Sequence, residues 1–174
     1  MSGELEIRDA RESDKKAAIE ATLASYAEYE NLMPPEIFAG YMTNIKRTVA
    51  GEAGPVEHIV AVRDEKIVGS VLIIPEGTVV ETPEGSTFVF SMPEVRLLAV
   101  VPSERGKGTG RALMEECIRR VRDAGSPVLS LHSLSWMKPA MALYESMGFV
   151  HTPEADSEPG PGVVVKAYRM DFGG

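Results

Sequence analysis

Hydrophobic and polar positions change period along the chain, and each change marks an element boundary. Leu5-Glu6-Ile7-Arg8 alternates and predicts a short strand; Ser13 or Asp14 then caps an Ala-rich helix reaching about Glu28. Pro34-Pro35 starts a second helix through about Val49, because proline fits a first helical turn, where its missing N–H is not needed. Glu57 to Arg63 and Ile67 to Ile74 are β-rich runs joined by Asp64-Glu65-Lys66, the sequence form of a hairpin, and Pro75 to Ser86 reads as loop with room for a short strand. A strand follows from Glu94 to Val100, then the glycine-rich Pro102 to Gly110, then a long helix through Ala124 closed by Gly125. Leu113, Met114, Cys117, Ile118 and Val121 form its apolar stripe, and Glu115 and Glu116 stand four residues before Arg119 and Arg120, the favourable order for ion pairs.

The remaining pattern predicts a strand at Val128 to His132, a helix at Met137 to Met147 ended by Gly148, and last β segments at Phe149 to His151 and Val163 to Asp171. Thr152 to Gly162, rich in proline, glycine and acid, reads as a loop within one domain spanning residues 1–174. The order is mixed α and β, an α/β (α+β) class with helices interrupting a largely antiparallel sheet.

Composition narrows the function classes. A net charge of −8 is the wrong sign for clamping a nucleic-acid backbone, so nucleic acid is not an expected partner. One cysteine, Cys117, and three histidines argue against a disulfide or a structural metal site, so no metal is expected. No apolar run approaches the ~20 residues that cross a bilayer, and Met1 to Glu6 has neither a basic flank nor an apolar signal core, so the expectation is a cytoplasmic protein that does not engage membranes.

The candidate chemistry lies in Arg105-Gly106-Lys107-Gly108-Thr109-Gly110, between a strand and a helix, where glycines bring backbone N–H groups close to an anion at the helix's positive end. Two other phosphate loops fail. The Walker pattern needs a glycine where Val101 stands and Ser or Thr where Gly108 stands; the dinucleotide fingerprint needs Gly or Ala where Arg111 stands.

Arg105, Gly108 and Gly110 resemble the Gln/Arg-x-x-Gly-x-Gly/Ala signature of the GNAT superfamily of N-acetyltransferases, and Ala140-x-x-Leu143-Tyr144-x-x-x-Gly148-Phe149 is similar to its later motif. The resemblance covers about residues 90–150. It implies a mostly antiparallel sheet of six to seven strands flanked by about four helices, with the fourth and fifth strands, here Glu94–Val100 and Val128–His132, splayed apart by a bulge. It further implies acetyl-CoA as co-substrate, with the backbone of Leu98, Ala99 and Val100 beside the pantetheine arm and amides from Arg105 through Gly106, Lys107, Gly108, Thr109 and Gly110 to Arg111 on the pyrophosphate. Met137 stands where the family commonly has an asparagine against the CoA arm.

The implied reaction is direct attack of a primary amine through a tetrahedral intermediate. Glu94 is the first candidate for taking the amine's proton and His132 the second; Tyr144 holds the family's position for protonating the leaving thiolate, and the Val100 N–H would face the oxyanion if the strand bulges there. Each has a plainer alternative: a solvated glutamate, a hydrogen-bonded histidine, a tyrosine anchoring a helix. Cys117, on the helix's apolar stripe, needs no covalent role. Two other function classes are kept open: a silent acyl-CoA binding or sensing module, and an inactive scaffold in a larger assembly, which would show no acyl-CoA affinity. Glu28, Glu30, Glu81, Glu84, Glu154, Asp156 and Glu158 are candidates for attracting a cationic acceptor, with polyamines, aminoglycosides, amino acids and protein N-termini all open; homodimerisation is a tendency of the family.

Overall fold

The computed structural model describes residues 3–81 and 85–173. Strand β1 (Glu6–Asp9) leads through a 3-10 turn to α1 (Lys15–Tyr26), and a second 3-10 stretch, Ala27–Leu32, leads to α2 (Pro35–Val49). Then come β2 (Glu57–Arg63), β3 (Lys66–Ile74), a hairpin of β4 (Val79–Glu81) and β5 (Thr87–Val89), and β6 (Glu94–Val100). The chain closes with α3 (Thr109–Asp123), β7 (Val128–Leu134), α4 (Lys138–Ser146), β8 (Val150–His151), β9 (Ser157–Gly160) and β10 (Val163–Asp171).

The main sheet runs β1-β2-β3-β6-β7-β10-β8 with β9 beside β10, while β4 and β5 pair separately. Every pairing is antiparallel except β6 with β7. The apolar stripe of α3 packs Leu113, Met114, Cys117 and Val121 against Ile59, Val71, Leu129 and Leu131 on one face. On the other face, Ala18, Ile45 and Val49 of α1 and α2 cover Val60, Leu72 and Ala99. Cys117 is 0% exposed, and burial pushes its thiol up to about 12, so it acts as a small hydrophobe. Among the described residues no helix is long and apolar enough to cross a membrane.

Several local expectations are corrected. Asp14 stands at the N-cap of α1, but its carboxylate makes no capping bond to the helix, because it accepts from the Arg11 N–H at 2.7 Å and from the Arg8 guanidinium at 2.6 Å. The predicted loop at Thr152–Gly162 contributes β9, so the main sheet has eight strands. Pro159 is tolerated there because β9 is an edge strand, and the Glu158 carboxylate closes the following turn on the Gly162 N–H at 3.1 Å. Arg119 bonds Glu116 at 2.8 Å and Asp123 at 2.9 Å in place of Glu115.

The splay between β6 and β7 is present and its cause is visible. The two strands register only at Glu94 with Ser130 and Val95 with Leu131. On its other side β6 sets Arg96 against Leu72 and Ala99 against Ser70, so Leu97 and Leu98 together face the single Val71. That bulge, with Leu97 at φ 54°, turns β6 away from β7. It lies at Leu97–Leu98; Val100 keeps its register with Gly69.

Arg120 joins α3 to the sheet's first two strands, bonding Glu116 at 2.7 Å and reaching Asp9 and Glu57. Hydrogen bonds from Arg119, then Arg120, hold the Glu116 carboxyl at about 2, against an opposing effect of burial. The folded pKa lies below the unfolded value of ~4.3, so this stabilisation is complete above that value and is lost as pH falls through about 2. Glu116→Gln should therefore be less stable than wild type in urea unfolding at pH 7, with the difference shrinking as pH approaches 2; a difference independent of pH would show that the carboxylate's charge is not the cause.

Candidate functional site

The divergence of β6 from β7 opens a cleft of about 460 Å³ bounded by the end of α1, the free edge of β6, the glycine-rich loop and α4. Its lining includes Leu98, Ala99 and Val100; Arg105, Gly106, Gly108, Thr109, Gly110 and Arg111; and Met137 and Tyr144. Lys107 is the predicted cofactor residue outside this lining, and its ammonium donates to Glu104 at 3.0 Å. Sequence reasoning missed Ser25, Tyr26 and Tyr29, which reach the cleft from α1 and the turn after it. No local motif marks them, because their role depends on where α1 packs.

The loop's glycines are used for their backbone. Gly106 and Gly108 have φ of 73° and 82°, and Gly108 is the N-cap of α3, with no side chain capping the helix. The first helical bond runs from the Ala112 N–H to the Gly108 carbonyl at 3.0 Å, leaving the N–H groups of Thr109, Gly110 and Arg111 without a helical acceptor. A Cβ at Gly106 or Gly108 would meet no atom within 4 Å, so the backbone there is bare. The Thr109 hydroxyl is buried and without a partner among the described residues. Unpaired donors at a helix's positive end suit a pyrophosphate.

The free edge of β6 is built for a partner strand or a strand-like ligand. The Val101 N–H donates to the Val68 carbonyl at 3.0 Å, so by antiparallel alternation Ala99 bonds back to β3 while Leu98 and Val100 turn their amide groups toward the gap. Ser25 Oγ donates to the Val100 carbonyl at 2.9 Å, and the Tyr26 hydroxyl donates to the Leu98 carbonyl at 3.1 Å. Arg105 completes this seam with bonds to Glu28 at 2.9 Å and to the Val100 and Ser25 carbonyls at 3.3 Å each. Glu28 is thereby engaged, and the Arg105 hydrogen bond holds its carboxyl below the usual range.

Tyr144, on α4, is 7% exposed, and its ring packs edge-on against Phe149. Burial raises its hydroxyl pKa, and that hydroxyl has no partner among the described residues. Glu94 and His132 lie outside this cleft's lining, yet the structure brings them together: Glu94 Oε1 is 3.3 Å from His132 Nδ1 and accepts from Arg96 at 3.2 Å. Glu94 is 6% exposed, whereas the His132 side chain is 39% exposed. Of the acidic candidates, Asp156 is occupied by the His151 ring and the Ala167 N–H, while Glu30, Glu81 and Glu154 are exposed and Glu84 lies outside the described residues. A second cleft, of about 560 Å³, lies between the end of α2 and the β4–β5 hairpin and reaches Arg96.

The model of the acetyltransferase (GNAT) family matches residues 17–149. The chain belongs to this family. A mycothiol acetyltransferase from Nocardiopsis dassonvillei is 38% identical over 77 residues, which are 40% of this chain and 23% of that protein, so the chain matches about a quarter of that relative's length. The fold is that of the PaiA N-acetyltransferase from Thermoplasma acidophilum, a complex with coenzyme A, at TM-score 0.65 and 15% identity over 96% of this chain and 99% of the other. It is also that of a GNAT family acetyltransferase from Brucella melitensis in complex with acetyl-CoA, at TM-score 0.58 and 19% identity over 98% and 90%.

Gly108→Val places a branched side chain at positive φ and over the bare amides. The variant should fold with a stability loss of about 1–2 kcal/mol and bind CoA more than tenfold more weakly by calorimetry; wild-type affinity in a folded variant would exclude the loop from binding.

Proposed function

We propose that this GNAT chain is an N-acetyltransferase that moves the acetyl group of acetyl-CoA to a primary amine. The observation that carries the reading is one cleft combining three features: amides at the start of α3 with no side-chain cap, a β6 edge at Leu98 and Val100 no longer paired with β7, and a Tyr144 hydroxyl with no partner among the described residues. Acetyl-CoA, when bound, supplies an acetyl group already activated as a thioester.

The chain's own residues supply the rest. Amides of residues 106–111 hold the pyrophosphate, the Arg105 N–H being bound to the Pro102 carbonyl at 3.3 Å, and the N–H side of Leu98 and Val100 aligns the pantetheine arm. The Val100 N–H faces the gap and is the donor available to a developing oxyanion. An alkyl ammonium is neutral only about once in 10³ molecules at pH 7, so the amine must lose a proton, and the Glu94–His132 pair is the acceptor for it. A phenol is protonated at neutral pH, so the Tyr144 hydroxyl can give its proton to the departing sulfur; burial, which raises its pKa, makes it a weaker acid than an exposed tyrosine.

The direct test is release of free CoA thiol from acetyl-CoA in the presence of polyamines, amino acids, aminoglycosides and basic peptides. Amine-dependent release is expected; tight binding without release from any amine would identify a silent acyl-CoA module. Tyr144→Phe should lower kcat by about 10²-fold with acetyl-CoA affinity kept, and unchanged turnover would remove Tyr144 from the chemistry.

A further inference from the structure

The second cleft is used by nothing described so far. Its least exposed charge is Arg96, whose side chain is 36% exposed; Arg47 at the end of α2 stands in the same lining, only loosely paired at 3.9 Å from an exposed Glu52. Arg96 makes one ion pair, through a single nitrogen to Glu94, and its other donors have no partner among the described residues. A guanidinium with free donors facing a cleft is a site for an oxyanion, most of all a carboxylate that can take two parallel hydrogen bonds. Beside it, Phe88 and Phe90 stack edge to face at 5.0 Å, an apolar wall on the β4–β5 hairpin.

The position of this cleft relative to the proton acceptor carries the argument further. Arg96 Nη1 is 3.2 Å from the same Glu94 oxygen that lies 3.3 Å from His132 Nδ1. These groups sit on β6 and β7 at Glu94–Ser130 and Val95–Leu131, where the strands last pair before they diverge. The Arg96 charge is also felt at Tyr26, which walls the first cleft, where it opposes the rise that burial gives the phenol. Glu94 and His132 line neither cleft, and Arg96 is what links the second cleft to them: a carboxylate on its free donors is one guanidinium removed from the Glu94 oxygen, so an amine on the neighbouring carbon, as in an α-amino acid, is directed toward that pair.

We propose that the second cleft is the acceptor subsite and that the acceptor is a free amino acid with an apolar or aromatic side chain, its carboxylate on Arg96 and its side chain against Phe88 and Phe90. This rests on the proposed amine acetylation. The net acidity of the chain does not oppose it, because the innermost charge of the cleft is positive.

The test compares phenylalanine with phenethylamine, the same amine without its carboxylate. An ionic hydrogen bond of this kind changes affinity about ten- to a hundred-fold, so wild-type kcat/KM should favour phenylalanine by at least about tenfold, and Arg96→Gln should bring the ratio to about one. A wild-type ratio near one, or a ratio kept in Arg96→Gln, overturns the proposal. Phe88→Ala, on an exposed hairpin residue whose loss should not disturb folding, is expected to lower kcat/KM for phenylalanine several-fold more than for glycine; equal effects count against the aromatic wall. Calorimetry with 3-phenylpropionate, which has no amine, reads the cleft without turnover. Binding weakened about tenfold by Arg96→Gln, with no amine acetylated, would support the cleft while refuting the transfer; amine acetylation without carboxylate preference or phenylpropionate binding would do the reverse.

Discussion

Leu97 and Leu98 occupy the space of one residue opposite Val71, and the ladder between β3 and β6 absorbs the surplus by bending β6 away from β7. The site depends on this single irregularity. A regular β6 would continue pairing with β7 beyond Val95 and Leu131, and the amide groups of Leu98 and Val100 would be consumed within the sheet. The bend also places the end of β6 beside the loop that opens α3, so that a strand edge and a helix N-terminus, two sets of unpaired backbone donors, face one cleft.

Unpaired amide groups in a part-buried gap are costly, and α1 offsets some of that cost. Hydroxyls of Ser25 and Tyr26 satisfy the Val100 and Leu98 carbonyls, and Arg105 bonds the loop both to this edge and to Glu28. The seam leaves the N–H side of the edge available. The Arg105 side chain is spent on this wall, bonding Glu28 and the Val100 and Ser25 carbonyls, and so does not point a free charge at the start of α3.

What was legible in the sequence was local. The bounds of β6 and the start of α2 follow from residue pattern and proline placement, and the cradle's glycines declare themselves because only such residues hold φ of 73° and 82° without strain. What escaped was decided by tertiary contact. Asp14 reads as a cap but serves Arg8 and Arg11; Thr152–Gly162 reads as loop, yet β10 offers an edge onto which Ser157–Gly160 can pair. The bulge was expected from the family resemblance, but its position was not, because Leu97-Leu98-Ala99-Val100 is uniformly apolar and the pattern gives no sign of which residue is surplus. For the same reason, Glu94 and His132 stood as separate candidates until the parallel pairing of β6 with β7 put them in contact.

That contact bears on why a carboxylate is buried at all. Desolvating Glu94 to 6% exposure is unfavourable unless its oxygens are paired, and the pairing is thin: Arg96 at 3.2 Å and the His132 ring at 3.3 Å, both on the same oxygen. A hydrophobic side chain of similar volume at the start of β6 would satisfy packing without this cost. The carboxylate stands where the two strands separate, flanked by an exposed imidazole and by a guanidinium that engages it through one nitrogen, so its burial is tied to the geometry of the splay and not to the close packing of the sheet. Three side chains of ordinary chemistry thereby meet at one point, where a single Glu94 oxygen lies 3.2 Å from the Arg96 guanidinium and 3.3 Å from the His132 ring, at the last paired residues of β6 and β7.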